Sequence, residues 1–356
     1  MEIQYANVRT PVKPSVAAAA SVPFSTIPNL GRVVRDAAAA VQGGAVLTSS
    51  GASLPFDYLV LAPGCAYGDP TFVAPEEEGT TAQREAAASA RAAALAAAPA
   101  VVVEGGGPVG VEAAAEIAVA FPDKPLTLVT SADTLLAGKP ASLRNASAAF
   151  LQGRGATLIT GQRVVAGKGG RLACEPSGEA LPEGALALWC VPGSPNTGFL
   201  AAGRPDGGGE GTQGAPRPPP LASALDGAGF IRVDAHLRVR GRATWFALGD
   251  AAAIPGVKLG YLTRGQAGVV VANIKALEAG GGALAARPDA PLPKSWAANG
   301  GLEMMFVTLG PSAGAAHVGA WISLPSMVVA GIKSRDLFVG KTRKGVGAPP
   351  APVGSV

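Results

Sequence analysis

Histidine is almost absent: His236 and His317 are the only two in 356 residues. Histidine-rich metal sites and most histidine-based acid–base chemistry are therefore excluded, and each histidine is expected to be a surface or satisfied core residue. Cysteine is nearly as scarce. Cys65, Cys174 and Cys190 are far apart with no C-x-x-C, which leaves neither a redox disulfide nor a zinc cage. Three scattered thiols suit a reducing compartment, so a cytoplasmic location is expected. Charged residues make up only 15% and aromatics 5%, and basic residues exceed acidic ones by just four. That whole excess equals the net charge between Lys333 and Lys344, so no broad nucleic-acid-binding face is implied. Met1-Glu2-Ile3-Gln4-Tyr5 lacks the apolar run of a signal peptide, and no Gly stands at position 2 for myristoylation. The longest uncharged stretch, 304–332, is broken by Gly310, Pro311, Gly314, Gly319 and Pro325. Breakers at that spacing predict strand, turn, strand and the start of a helix instead of a membrane span.

What the chain does contain is a 48% hydrophobic fraction, ample for a core, and a length that fits two to three domains. Phe56–Ala62 reads as a buried strand ending in a Pro63-Gly64 turn, and 82–98 as an Ala-rich helix closed by Pro99. Next come the strand Val101-Val102-Val103, a glycine turn, an Ala-rich helix and a second strand, Leu126–Thr130. Residues 157–191 alternate short strands with glycine turns, and 201–220 is a Gly/Pro-rich surface insert. A strand at 244–248, a helix at 264–278, a linker at 280–293 and a last unit at 294–345 complete the pattern. The endings Leu61-Ala62-Pro63-Gly64 and Cys190-Val191-Pro192-Gly193 echo each other, which suggests two related nucleotide-binding halves.

Gly105-x-Gly107-x-x-Gly110 carries the chemistry. The first glycine permits the tight turn, the second lets a pyrophosphate approach the backbone, and the third allows close helix–strand packing. The following helix N-terminus offers amides and positive dipole to phosphate. Gly209–Gly214 fits the same pattern without a flanking strand or helix and is rejected. The second strand runs into Thr130-Ser131-Ala132-Asp133, where an acid for the NAD ribose arrives late, so use of both NADH and NADPH is expected. Glu112 either complements the helix dipole or faces the nicotinamide. Asp250, at the mouth of an apolar strand beside Gly249, either accepts hydrogen bonds from sugar hydroxyls or is an ordinary turn residue.

Together, x-A-x-G near residue 60, G-x-G-x-x-G-V-E and Phe246-Ala247-Leu248-Gly249-Asp250 resemble the pyridine-nucleotide flavoprotein reductases with two Rossmann-like domains. Gly331-Ile332-Lys333-Ser334-Arg335-Asp336-Leu337-Phe338-Val339 resembles the ferroptosis suppressor protein and apoptosis-inducing-factor homologue family more specifically. Tyr5–Arg9, Lys258–Tyr261 and Val271–Ile274 also fit that family. The resemblance implies an α/β fold of the glutathione-reductase type with a small C-terminal α+β unit. It implies an FAD-dependent NAD(P)H oxidoreductase reducing a quinone-type acceptor. Gly105, Gly107, Gly110 and Glu112 would bind NAD(P)H. Gly64, Gly249, Asp250, Lys258, Leu259 and Gln266 would lie against FAD, with Gly193 at the matching turn. Glu112 and Lys333 would assist hydride and proton movement, and Phe338 would stand at the quinone end.

The expected division is 1–99 and 194–285 for the FAD-binding domain, 100–193 for the NAD(P)H-binding domain and 286–356 for the C-terminal unit. Relatives open with a strand–GxGxxG–helix of their own that holds the FAD pyrophosphate. Met1 stands where that unit should have ended, so the first Rossmann-like domain is expected to be truncated. A flavin-free nucleotide-binding product without activity is the alternative reading. A single-Rossmann dehydrogenase is disfavoured because Tyr58, Tyr67 and Tyr261 lack a lysine four residues on. The basic patch at 333–344 reads first as a solvated tail, with peripheral membrane contact through the 325–344 helix and this patch as the alternative, and a homodimer is left open.

Overall fold

The computed structural model describes residues 1–72, 79–167, 170–191, 193–201, 221–256, 258–280, 287–288, 290–297, 303–319 and 322–356. The rejected glycine match at 209–214, nearly all of the 201–220 insert, Pro192 and part of the expected linker lie outside these residues.

Along the chain, helix α1 (Val16–Ala20) precedes strands β1 (Ala38–Gln42), β2 (Ala45–Thr48), β3 (Ser53–Pro55) and β4 (Leu59–Leu61). Helix α2 (Thr81–Ala97) leads into β5 (Val101–Glu104), α3 (Pro108–Ala120), β6 (Leu126–Val129), α4 (Ala141–Gln152) and β7 (Thr157–Ile159). Then come β8 (Arg163–Ala166), β9 (Leu172–Glu175), β10 (Leu186–Trp189), α5 (Gly198–Ala201), β11 (Trp245–Ala247) and α6 (Gly260–Ala279). The chain closes with β12 (Met304–Thr308), β13 (Gly314–Val318), β14 (Ile322–Leu324), α7 (Ser326–Val329), a π-helical turn at Ala330–Ser334 and α8 (Val339–Gly345).

Two compact units result: 1–33 with 67–192 and 302–356, and 34–66 with 193–301. This differs from the expected division, which kept 1–99 together and set 286–356 apart. The reason is long-range packing. Ile3, Ala6, Val8, Val16 and Val22 form one buried cluster with Ala113 of α3 and with Leu337 and Val339.

The first unit is built on the parallel sheet β10-β5-β6-β7. Val101, Val102 and Val103 are fully buried, as a β-branched run in a strand covered on both faces should be. Helix α3 is buried along nearly its whole length, because alanine lets it lie close to the sheet on one side and to other helices on the other. Helix α2 starts at a capping box in which the Thr80 hydroxyl accepts from the Gln83 N–H and the Gln83 side chain accepts from the Thr80 N–H. The antiparallel sheet β12-β13-β14 completes this unit, bearing out the strand–turn–strand reading of 304–332.

The second unit holds the antiparallel β1-β2-β3 sheet, the parallel pair β4–β11 and α6. Here the expected buried strand is corrected: Val60 is 43% exposed, because among the described residues β4 has only β11 beside it. Helix α6 starts at Gly260, four residues earlier than expected, and places Gln266 in its second turn.

The C-terminal region also departs from expectation. Residues 325–344 are not one helix: α7 ends at Val329, a π-helical turn follows, and Leu337 and Phe338 both adopt left-handed backbone (φ 51° and 55°) before α8. The tail beyond it packs back on the chain. Arg343 is buried and donates to the carbonyls of Pro349, Ala19 and Ser21, and the Lys13 ammonium donates to Val356 O at 2.7 Å. Among the described residues, no helix is long and apolar enough to cross a membrane.

Candidate active site

The glycine turn in the first unit owes its shape to close backbone contacts. Gly105 has φ +119°, and a Cβ on it would lie 2.5 Å from the Cys190 carbonyl oxygen. A Cβ on Gly110 would lie 1.8 Å from the Gly105 carbonyl oxygen, so both positions require glycine for sterics alone. Gly107 is different. It has ordinary extended backbone at the N-cap of α3 (φ −76°), and a Cβ there would meet nothing within 4 Å. Gly107 therefore opens on empty space at a helix N-terminus whose first N–H groups have no partner within the helix. A phosphate-bearing ligand placed there would meet the N-terminus of α3, with Pro108 pre-set in the first helical position. At the end of β6, Thr130 is buried and Asp133 is exposed.

Glu112 lies beyond the first turn of α3, so it does not serve as an acid at the helix N-terminus. Its Oε1 accepts the Thr308 N–H of β12 at 2.8 Å and the Lys333 ammonium at 2.5 Å. Lys333 comes from the π-helical turn and also donates to the Phe306 carbonyl at 2.8 Å. Both side chains of this pair are nearly out of solvent, at 4% exposed for Glu112 and 12% for Lys333. The structure thus joins two sequence-predicted residues 221 positions apart. Phe338 follows on the same segment, half-buried, with its N–H on Asp336 Oδ1 at 3.0 Å and the Lys341 ammonium 5.7 Å from its ring centre.

One turn along α3, Glu116 is buried against Arg9. Burial pushes the Glu116 carboxyl up, against the opposing pull of Arg9. Neither residue was singled out as functional in the sequence. The signal available was the i, i+4 spacing of two acids on an otherwise apolar helix, which puts both on one face.

In the second unit, Gly64 and Gly249 follow the adjacent parallel strands β4 and β11 and are both left-handed (φ +66° and +74°). The Gly249 N–H donates to Gln266 Oε1 at 2.8 Å, which ties the strand end to α6. The turn after Gly64 is held to the segment after Gly193 by Asn196 N–H on Gly64 O at 3.0 Å and Ala66 N–H on Ser194 O at 2.8 Å. Gly64 and the residues just after Gly193, which follow the two echoing segments of the sequence, therefore lie side by side. Asp250 is half-buried in the turn after Gly249. The Lys258 ammonium donates to the Ala252 and Ile254 carbonyls and stands 5.4 Å from the Phe230 ring centre. Burial lowers the Lys258 pKa while Asp250 opposes the shift. Burial raises the Cys65 thiol, and the Asp250 charge adds to it. Leu259 is the N-cap residue of α6.

The histidines take no part in either set. His236 is satisfied, its Nδ1–H on Lys294 O and its Nε2 accepting from Leu292 N–H. His317 corrects the expectation of a satisfied core residue: its Nδ1–H reaches Gly319 O at 2.8 Å, but its buried Nε2 has no partner. Among the described residues no group of three or more His, Cys, Asp and Glu is placed to hold a metal.

Comparison with known proteins bears on this geometry. The human ferroptosis suppressor protein 1 is 26% identical over 308 residues, spanning 84% of this chain and 74% of its own. The FAD-dependent oxidoreductase FVFD30 of Flammulina velutipes is 24% identical over 312 residues, 86% of each chain. Among solved structures, the sulfide:quinone oxidoreductase of Aquifex aeolicus superposes with a TM-score of 0.65 at 17% identity, covering 97% of this chain and 84% of that one. An FAD-dependent pyridine nucleotide-disulphide oxidoreductase from Desulfovibrio vulgaris gives 0.53 at 25% identity, over 81% and 68%. These neighbours share the α/β architecture of two-domain nucleotide-binding oxidoreductases. The family model described as pyridine nucleotide-disulphide oxidoreductase matches residues 28–273, from ahead of β1 through most of α6, and the chain belongs to that family.

Proposed function

We propose that this protein is an FAD-dependent NAD(P)H oxidoreductase that passes reducing equivalents to a quinone-type acceptor. Its cofactors are FAD and NAD(P)H. The observation that carries the reading is the open Gly107 position at the start of α3 with Glu112, buried and paired to Lys333, further along the same helix. Gly105, Gly107 and Gly110 would hold the NAD(P)H pyrophosphate. Gly64, Gly249, Asp250 and Gln266 fit FAD, because two left-handed glycines close adjacent parallel strands where a nucleotide ligand is accommodated. A second strand–glycine turn–helix for the FAD pyrophosphate is not found among the described residues.

When bound, the two cofactors supply the hydride chemistry themselves. The chain's part is to orient and to hold charge. Thr308 and Lys333 fix the Glu112 carboxylate, and the Lys333 ammonium keeps protons available at Nζ in a site with little solvent. With no acid in the strand end at Thr130, both NADH and NADPH are expected to serve, and a hundredfold preference would contradict this. We assign the membrane-facing role to the exposed Ile322, Met327, Val328 and Ile332, with Arg335, Lys341 and Lys344 beside them in the chain. Lys333 and Arg343 do not contribute to this basic patch, since both are engaged internally.

The resemblance of Gly331–Val339 to the ferroptosis suppressor family is what implies a quinone acceptor, and the fold shared with the sulfide:quinone oxidoreductase of Aquifex aeolicus is compatible with one. The test is steady-state NADH oxidation by the FAD-supplemented protein with a short-chain ubiquinone analogue. Quinone-dependent NADH loss above the rate with oxygen alone is expected. NADH oxidation that is indifferent to added quinone would overturn the acceptor assignment.

A further inference from the structure

Arg9 is a buried cation that the reading above leaves without a role. It ends a 3-10 helix, Gln4–Arg9, anchored by the Asn7 amide on Glu2 Oε1 at 2.8 Å and on Phe72 O at 3.0 Å. From this base Arg9 Nε donates to Glu116 Oε2 at 3.0 Å and Nη2 to Glu116 Oε1 at 2.8 Å. The same guanidinium also reaches the carbonyls of Ser334, at 2.5 Å from Nη2, and Arg335, at 3.1 Å from Nη1. These are the two residues that follow Lys333. One planar fork therefore ties α3, through Glu116, to the backbone that presents Lys333 to Glu112 one turn earlier on the same helix face.

We infer that Arg9 is a positioning residue that holds the Lys333 backbone against α3 and so keeps the Lys333 ammonium on Glu112. The inference rests on the reading of Glu112 and Lys333 as the working pair. The backbone needs such a hold, because it is π-helical through Ser334 and left-handed at Leu337 and Phe338. The π-helix is rare and occurs mostly as single turns, frequently at functional sites. Two further ties complete the seat: Ser334 Oγ on Ala313 O at 2.7 Å, and Lys333 on Phe306 O. Lysine could not replace arginine here, because an ammonium lacks the fork that serves a carboxylate and two carbonyls at once.

The test is pulse acetylation of the full chain with acetic anhydride at fixed pH. Labelling of Lys333 is read against exposed Lys341 by mass spectrometry, alongside a thermal melt. Arg9→Gln and Arg9→Lys are compared with Arg84→Gln. Arg84 is an equally buried arginine on α2, bonded to Glu2 of the N-terminal segment and to the Pro70 and Thr71 carbonyls. Lys333 labelling should rise about fivefold or more in Arg9→Gln, as expected for neighbours coupled through one network. It should rise to a lesser degree in Arg9→Lys and stay at the wild-type level in Arg84→Gln. In the FAD-loaded enzyme, Arg9→Lys should lower kcat with little change in KM for NADH, because the glycine turn is untouched.

Unchanged Lys333 labelling in folded Arg9→Lys, or an equal rise in Arg84→Gln, would overturn the inference. Arg9→Lys keeps the experiment decisive if Arg9→Gln does not fold. Because labelling needs no turnover, an inactive protein whose Lys333 is still guarded by Arg9 would count against the reductase reading alone.

Discussion

Gly107 and Gly110 lie three residues apart in one turn, yet alanine at each should fail in opposite ways. At Gly107 the new methyl meets nothing within 4 Å, and the backbone is already in a conformation open to any residue. Alanine is a poorer N-cap than glycine by roughly 0.5–1 kcal/mol. The smaller entropy of the unfolded alanine chain returns about 0.4–1 kcal/mol. The two nearly cancel, so the melting temperature should move by less than about 2 °C. The same methyl occupies the space a pyrophosphate needs at the α3 N-terminus. Losing even one charge-assisted hydrogen bond there costs about 1.5–3 kcal/mol, or roughly 10- to 150-fold in NADH affinity. At Gly110 the methyl would sit 1.8 Å from a backbone oxygen that cannot swing away. Helix α3 must then part from β5, at about 1–3 kcal/mol or more. NADH fluorescence titration and a thermal melt on both variants decide the matter. Gly107→Ala binding NADH within about threefold of wild type would show that the cradle is not the dinucleotide site.

Two further outcomes follow from the buried charges. Lys333→Met strands the Glu112 carboxylate and should cost about 3–5 kcal/mol, whereas adding Glu112→Gln should recover at least about 1 kcal/mol of that in urea unfolding; additive losses would deny the pair. For Glu116 the raised folded-state pKa means that its contribution to stability is full below the ordinary value of 4.5 and is lost as pH rises through the folded value. Wild type should therefore lose stability relative to Glu116→Gln as pH rises from 4.5 through the folded-state value, and parallel pH profiles for the two would refute the argument.

The glycine turn was legible in the sequence because its causes are local: a valine strand, three glycines at fixed offsets and an alanine helix are all within twenty residues. The Glu112–Lys333 pair was legible only through family resemblance, since no periodicity links residues 221 positions apart. Arg9 and Glu116 escaped for the same reason; their meeting depends on residues 1–33 packing with α3 and the chain end. The broken C-terminal helix was hidden because its left-handed positions are Leu337 and Phe338, not glycines. Gly331 and Gly340 weaken the run as a helix, but neither marks where tertiary contacts break it. Likewise, the apolar run at Leu59–Leu61 predicts burial, and the exposure of Val60 is set by how many strands stand beside it.

The most direct test of the reductase account is the visible absorption spectrum of the purified protein after incubation with excess FAD and desalting. The account predicts retained flavin bands that bleach on adding NADH under anaerobic conditions. A colourless protein, or bound flavin that NADH leaves oxidised, would contradict it.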